Sequence, residues 1–363
     1  MVRRAALARL PLLLMGMVAL VTGVLAGLAR LGAEVPALAA AQAGTHGALM
    51  IAGFLGTVIS LERAVALASS GLHWPYVAPF AAGLGGVSLL AGVPIILAHA
   101  LFVSAGLVLA FGSTLLFFRR RAAYLATLAL GALAWLGGNL VWALDGSLLP
   151  AVPWWIAFLV LTIAGERLEL TRFLPTTLAA QRWFNAIVAV QVVALPLGLW
   201  REGLGLALFA FTLIALALWL LGHDIARRTV KQAGLTRYIA VCLLSGYAWL
   251  AFGGALGLLG GFAPGSMMRD AALHAIFLGF VFAMIFGHAP IIIPAVANVK
   301  LPYHPVFYVP LVLLHLTVTT RIVGDLANSL TAARQAAISN SLTLLLFVLI
   351  VLTRVLFGKA KTH

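Results

Sequence analysis

The chain has 363 residues, of which 63% are hydrophobic and 9% charged, and its mean hydropathy is +1.12. These values exclude a soluble globule, whose apolar share is nearer one half, and no run of short alternating segments suggests a membrane barrel. The formal charge of +14 would point to nucleic acid in a soluble protein; here its distribution along the chain sets membrane orientation, and no nucleic-acid partner is expected.

Apolar runs on the order of 20 residues, each long enough to cross a hydrocarbon core of about 30 Å as a helix, predict an all-α polytopic bundle. Twelve spans are expected, at 10–30, 43–67, 76–97, 99–118, 122–144, 151–173, 183–200, 203–222, 236–261, 269–296, 304–326 and 335–357. The first follows Arg3, Arg4 and Arg9 like a signal peptide, but it lacks a convincing cleavage site and reads as a retained helix. With both termini cytoplasmic, the inner side carries 18 basic residues, among them Arg119, Arg120, Arg121, Arg227, Arg228, Lys231 and Lys359. The outer side keeps Arg30, Arg201, Arg269, Arg321 and Arg334, so the positive-inside rule selects this orientation, in a bacterial inner membrane.

Loops are short and no linker separates folded units, which predicts one membrane domain over 1–363. Trp74, Trp142, Trp154, Trp155, Trp183 and Trp200 fall near span ends, where an aromatic belt would anchor the helices in the lipid bilayer. Spans two, six and ten end alike, in Leu61-Glu62-Arg63, Gly165-Glu166-Arg167 and Gly287-His288-Ala289. Alignment on those positions sets Gly53-Phe54 on Gly279-Phe280, which suggests a threefold repeat of four helices.

Cys242 is the single cysteine, so an intrachain disulfide and a thiolate metal site are both excluded. His46 opens the second span and His274 the tenth, at similar depth in the outer half of the bilayer. Two imidazoles on neighbouring helices suit the two axial positions of one haem iron, with Gly47, Ala272 and Ala275 leaving room for a flat macrocycle. The competing reading is two unrelated histidines satisfied by carbonyls or headgroups.

The segment THGALM around His46 resembles the second-helix histidine motif of the haem-copper oxidase subunit I superfamily. HAIFLGFVFAMI from His274 resembles the tenth helix of that superfamily, and HAIFLGFVFAMIFGHA is similar to the NnrS family of haem- and copper-containing membrane proteins linked to nitric oxide. The resemblance covers roughly 45 residues and implies His46 and His274 as ligands of one b-type haem. Two departures matter. Ala272 stands where an oxygen reductase has its high-spin haem ligand, and spans six and seven contain no histidine for copper, so a complete binuclear oxygen-reducing centre is not implied.

Glu62, Glu166 and His288, with Arg63 and Arg167 beside them, form a second constellation in the cytoplasmic half. Two carboxylates and an imidazole suit copper or another divalent metal, or a proton path; the same residues also suit a salt-bridged lock, extended by Glu169 and Arg172. Arg269 and Arg321, with Arg30, are candidates for the haem propionates by location, and Asp325 lies one turn from Arg321. His315 reads as a packing histidine, and His99 as an interfacial one without a role. Pro290 and Pro294 predict a kinked or unwound end to span ten. Walker, GxGxxG, GxSxG and HExxH motifs are absent.

The expected function is electron transfer with a membrane or periplasmic partner, or the sensing or handling of nitric oxide and related stress. The rival is a proton- or metal-ion-coupled transporter or channel built on Glu62, Glu166 and His288, and a third possibility is an assembly or metal-delivery factor.

Overall fold

A computed structural model describes residues 2–68, 71–171, 177–266 and 268–358, with side chains from residue 8 onward. Among these residues the regular structure is entirely helical. Twelve apolar helices follow in chain order: α1 (Val2–Ala29), α2 (Ala43–Ala68), α3 (Trp74–Leu90), α4 (Ile95–Arg120), α5 (Ala123–Asp145) and α6 (Leu149–Thr171), then α7 (Leu178–Trp200), α8 (Glu202–His223), α9 (Gly234–Gly261), α10 (Arg269–Ala297), α11 (Pro305–Leu326) and α12 (Leu330–Phe357). Eleven of them are long and apolar enough to cross a membrane, and the chain is a polytopic integral membrane protein. Its outward residues suit lipid: Ile96, Leu144, Leu259 and Leu356 are among the most exposed side chains.

The exception is α3, where the expected span 76–97 is cut short. Gly92 turns the backbone with a φ of 64°, and Pro94 stands as the N-cap of α4, which begins at Ile95 instead of residue 99. The break converts one predicted span into a short helix and a long neighbour. Local chemistry sets other boundaries. The Thr177 hydroxyl accepts from the Ala180 N–H at the start of α7, Ser329 does the same for Ala332 at α12, and Gly146 closes α5 in the left-handed region.

The chain divides into two compact units, residues 1–166 with 296–298, and residues 167–295 with 299–363. In the first, α1 packs on α2 and α3, α3 on α4, and α4 on α5. Close approach depends on small residues: a Cβ on Gly53 of α2 would stand 3.1 Å from Ala19 Cβ and 3.6 Å from the Gly86 backbone. The Asn139 side chain ties three elements, donating to the Phe102 carbonyl at 2.9 Å and accepting from Trp155 Nε1 at 3.0 Å. Trp142 and Trp155 are therefore interior residues of this unit, a correction to the belt expectation, while Trp183 and Trp200 are exposed as a belt requires. In the second unit α7 pairs with α8, α8 with α9, α9 with α10, and α11 with α10 and α12. Phe286 and Phe347 stack there at 3.9 Å.

Candidate functional site

His46 lies near the start of α2, where the helix changes type: a 3-10 turn over Ala43–Thr45 leads into His46–Ala48, a π-helical stretch over Leu49–Leu55, then α-helix from Gly56. Such wide turns re-aim side chains and recur at functional sites. The imidazole Nδ1 donates to the Gly23 carbonyl of α1 at 2.6 Å. Its ring rests on Gly27, where a Cβ would come within 2.7 Å of Cε1. A proton fixed on Nδ1 leaves the lone pair on Nε2, the form in which histidine ligates a metal. Gly47 has open space where a Cβ would stand.

In the second unit His274 ends a short α-helical segment, and a π-helical stretch over Ala275–Phe282 follows directly. Its Nδ1 donates to the Asp270 carbonyl at 2.7 Å and lies 4.0 Å from Asp325 Oδ2. Arg321, 4% exposed, donates through Nε to both Asp325 oxygens and holds Nη2 at 3.6 Å from Asp270 Oδ2. The imidazole thus borders a charged cluster of Asp270, Arg321 and Asp325. Arg269 directs Nη1 to the Phe262 carbonyl. Ala272 and Ala275 are wholly buried, and Ala272 faces Gly261 at the end of α9.

His288 and His223 also bond Nδ1 to the carbonyl four residues earlier, at 2.7 Å and 2.9 Å. That bond alone does not distinguish a ligand. His46 and His274 differ in being followed within three residues by π-helical segments, and His46 in taking its acceptor from another helix.

Among the described residues, no group of three or more His, Cys, Asp or Glu side chains is arranged to hold a metal ion, so the divalent-metal expectation for Glu62, Glu166 and His288 gains no support. Glu166 instead forms an ion pair with Arg63, and Glu62 lies within electrostatic reach of both. Arg167 has a carboxylate partner of its own in the second unit. It is buried, and Nε and Nη2 donate to the two oxygens of Asp224 at 2.8 and 2.9 Å, while Asp224 also accepts from the Tyr247 hydroxyl and the Ala226 N–H. Arg172, proposed to extend the lock, lies outside the described residues, as does Lys359. The end of α10 is not unwound: the helix runs through Pro290 and Pro294 to Ala297. Membrane helices tolerate the lost N–H groups where neighbours re-satisfy the freed carbonyls.

His315 is a packing histidine. Its Nδ1 accepts from Trp249 Nε1 at 3.0 Å, which fixes the proton on Nε2, and Nε2 donates to Ser245 Oγ at 3.0 Å. Replacing His315 with Ala strands a largely buried indole N–H and is expected to lower stability by about 1–3 kcal/mol in a detergent melt. His99 is buried against Trp142 at 4.4 Å in α4, away from the interfacial turn expected for it.

Sequence reasoning passed over Gly23, Gly27, Asp224 and Tyr247. The Gly23-x-x-x-Gly27 spacing in α1 was the available signal for a close helix contact. Asp224 was visible only as a lone acid at the end of an apolar span. Neither a curated protein nor a solved structure matches the chain. One family model does, a domain of unknown function, DUF8744, over residues 9–356, and the chain belongs to that family.

Proposed function

We propose that the protein is an integral-membrane haem b protein of the bacterial inner membrane, similar in kind to NnrS and the haem-copper oxidase superfamily, with His46 and His274 as iron ligands. The observation that carries this reading is the similar local frame of the two histidines. A π-helical segment begins three residues after His46 and directly after His274, and each Nδ1–H is given to a backbone carbonyl, which leaves Nε2 as the ligating atom of that tautomer. Bound haem supplies a one-electron iron couple. With His46 and His274 both given to the iron no site would remain open for a substrate, so the role that fits is electron transfer to a membrane or periplasmic partner, linked to nitric oxide or related stress.

At the histidines, this chain's residues act by orienting and excluding. The Gly23 carbonyl and the bare Gly27 backbone fix the His46 ring, and the Asp270 carbonyl with nearby Asp325 fixes His274. Gly27→Val is expected to displace the His46 ring and lower haem affinity about 10–100-fold, the range for lost outer-shell support. Gly47→Ala, made where space is open, should leave haem content unchanged in the same assay.

The test is the visible spectrum of protein purified after expression with haem supplied, oxidised and then reduced with dithionite. A sharp α-band on reduction is expected; a featureless spectrum in folded protein overturns the reading. A second reading, a proton- or metal-ion-coupled transporter, draws on Glu62, which adds a second carboxylate beside the Arg63–Glu166 pair. It predicts a colourless protein whose ion uptake into vesicles is lost in Glu62→Gln.

A further inference from the structure

At the end of the second unit that carries its basic residues, a shallow groove of about 460 Å³ runs between α7 and α8. Trp183 and Ile187 line one side, Ala215 and Leu218 the other, and Trp219 and His223 close its mouth. The last two rings stack at 4.7 Å with an interplanar angle of 17°, held by the bond from His223 Nδ1 to the Trp219 carbonyl. The groove's walls are mainly apolar, with Thr177 and His223 as polar contributors, which suits an acyl chain beside a polar head better than a small free anion.

Basic residues adjoin the lining residues along the chain: exposed Arg182 precedes Trp183 in the first turns of α7, and Arg227, Arg228 and Lys231 follow His223. Arg227 folds back so that Nη1 donates to the Gly222 carbonyl at 2.6 Å, which holds its guanidinium beside the end of α8. The acid that follows His223, Asp224, is wholly buried and bound to Arg167, so it does not offset these charges at the surface. Trp183, 68% exposed, is an amphipathic ring of the kind that settles at headgroup level.

We propose that this groove binds one anionic phospholipid, its acyl chain along Ile187, Ala215 and Leu218 and its phosphate among His223, Arg182, Arg227 and Arg228. Cationic clusters beside membrane helices favour anionic headgroups in this way. The site is independent of the haem reading and stands or falls separately.

The experiment is native mass spectrometry of the full chain after reconstitution with an equimolar mixture of phosphatidylglycerol and phosphatidylcholine. Wild type is expected to retain one phosphatidylglycerol at least about tenfold in excess over phosphatidylcholine, and the triple variant Arg182→Ala, Arg227→Ala, Arg228→Ala to lose that excess. Ala215→Trp, which fills the groove and keeps the charges, should lower retention of both lipids. All the substituted side chains lie at the groove or the surface, and circular dichroism checks the fold. Equal retention of the two lipids by wild type overturns the proposal. So does an excess unchanged in both variants, or displacement of the lipid by millimolar inorganic phosphate, which would mark a simple anion site.

Discussion

His46→Ala and His274→Ala are each expected to yield folded protein with less than about a tenth of the wild-type haem. The argument is local. Each ring is only partly buried and donates Nδ1–H to a backbone carbonyl, of Gly23 and Asp270 respectively, so truncation to Ala removes a neutral donor from a carbonyl. Folding should survive while the ligand is lost. His288→Ala is the matched control, because His288 makes the same Nδ1 bond, to Met284, but does not head a π-helical segment. Retention of haem in His288→Ala together with its loss in the other two separates ligation from a general effect of removing an intramembrane imidazole. Equal haem content in all three would count against the assignment.

Asp224→Ala is expected to cost about 3–5 kcal/mol of stability. The Asp224 carboxylate is completely buried and accepts from Arg167, from Tyr247 and from the Ala226 backbone. Its removal leaves the Arg167 guanidinium, 5% exposed, without its counter-charge, and strands the Tyr247 hydroxyl. A buried unpaired charge is far costlier than an absent pair, so the double variant Arg167→Met, Asp224→Leu should recover part of the loss. Thermal unfolding followed by size-exclusion chromatography in detergent reads both. A melt of Asp224→Ala within about 0.5 kcal/mol of wild type would show that the network does not hold the second unit together.

What the sequence disclosed follows from where its information is local. A run of about 20 apolar residues dictates a membrane helix because every backbone N–H must be satisfied within the segment, and all twelve expected spans correspond to helices. The shortened α3 was also written locally, in Gly92 and Pro94. The partners of charged groups were not. Arg63 meets Glu166 across 103 positions and Arg167 meets Asp224 across 57, and adjacency along the chain gave no sign of the Asp224 partner. Trp142 and Trp155 misled for a related reason: a position near a span end is compatible with a lipid belt or with a buried indole, and Asn139 decides for the interior. The two histidines were singled out on residue type, depth and the resemblance of THGALM and HAIFLGFVFAMI to haem-ligand helices. The π-helical turns beside them and the Gly27 seat depend on how helices pack, which no short pattern encodes.

The most direct test of the central claim is the haem content of the wild-type chain, measured as a pyridine haemochrome against protein concentration after expression with haem in excess. About one haem b per chain is expected from a single iron with two histidine ligands. A value near zero in monodisperse, helical protein would contradict it.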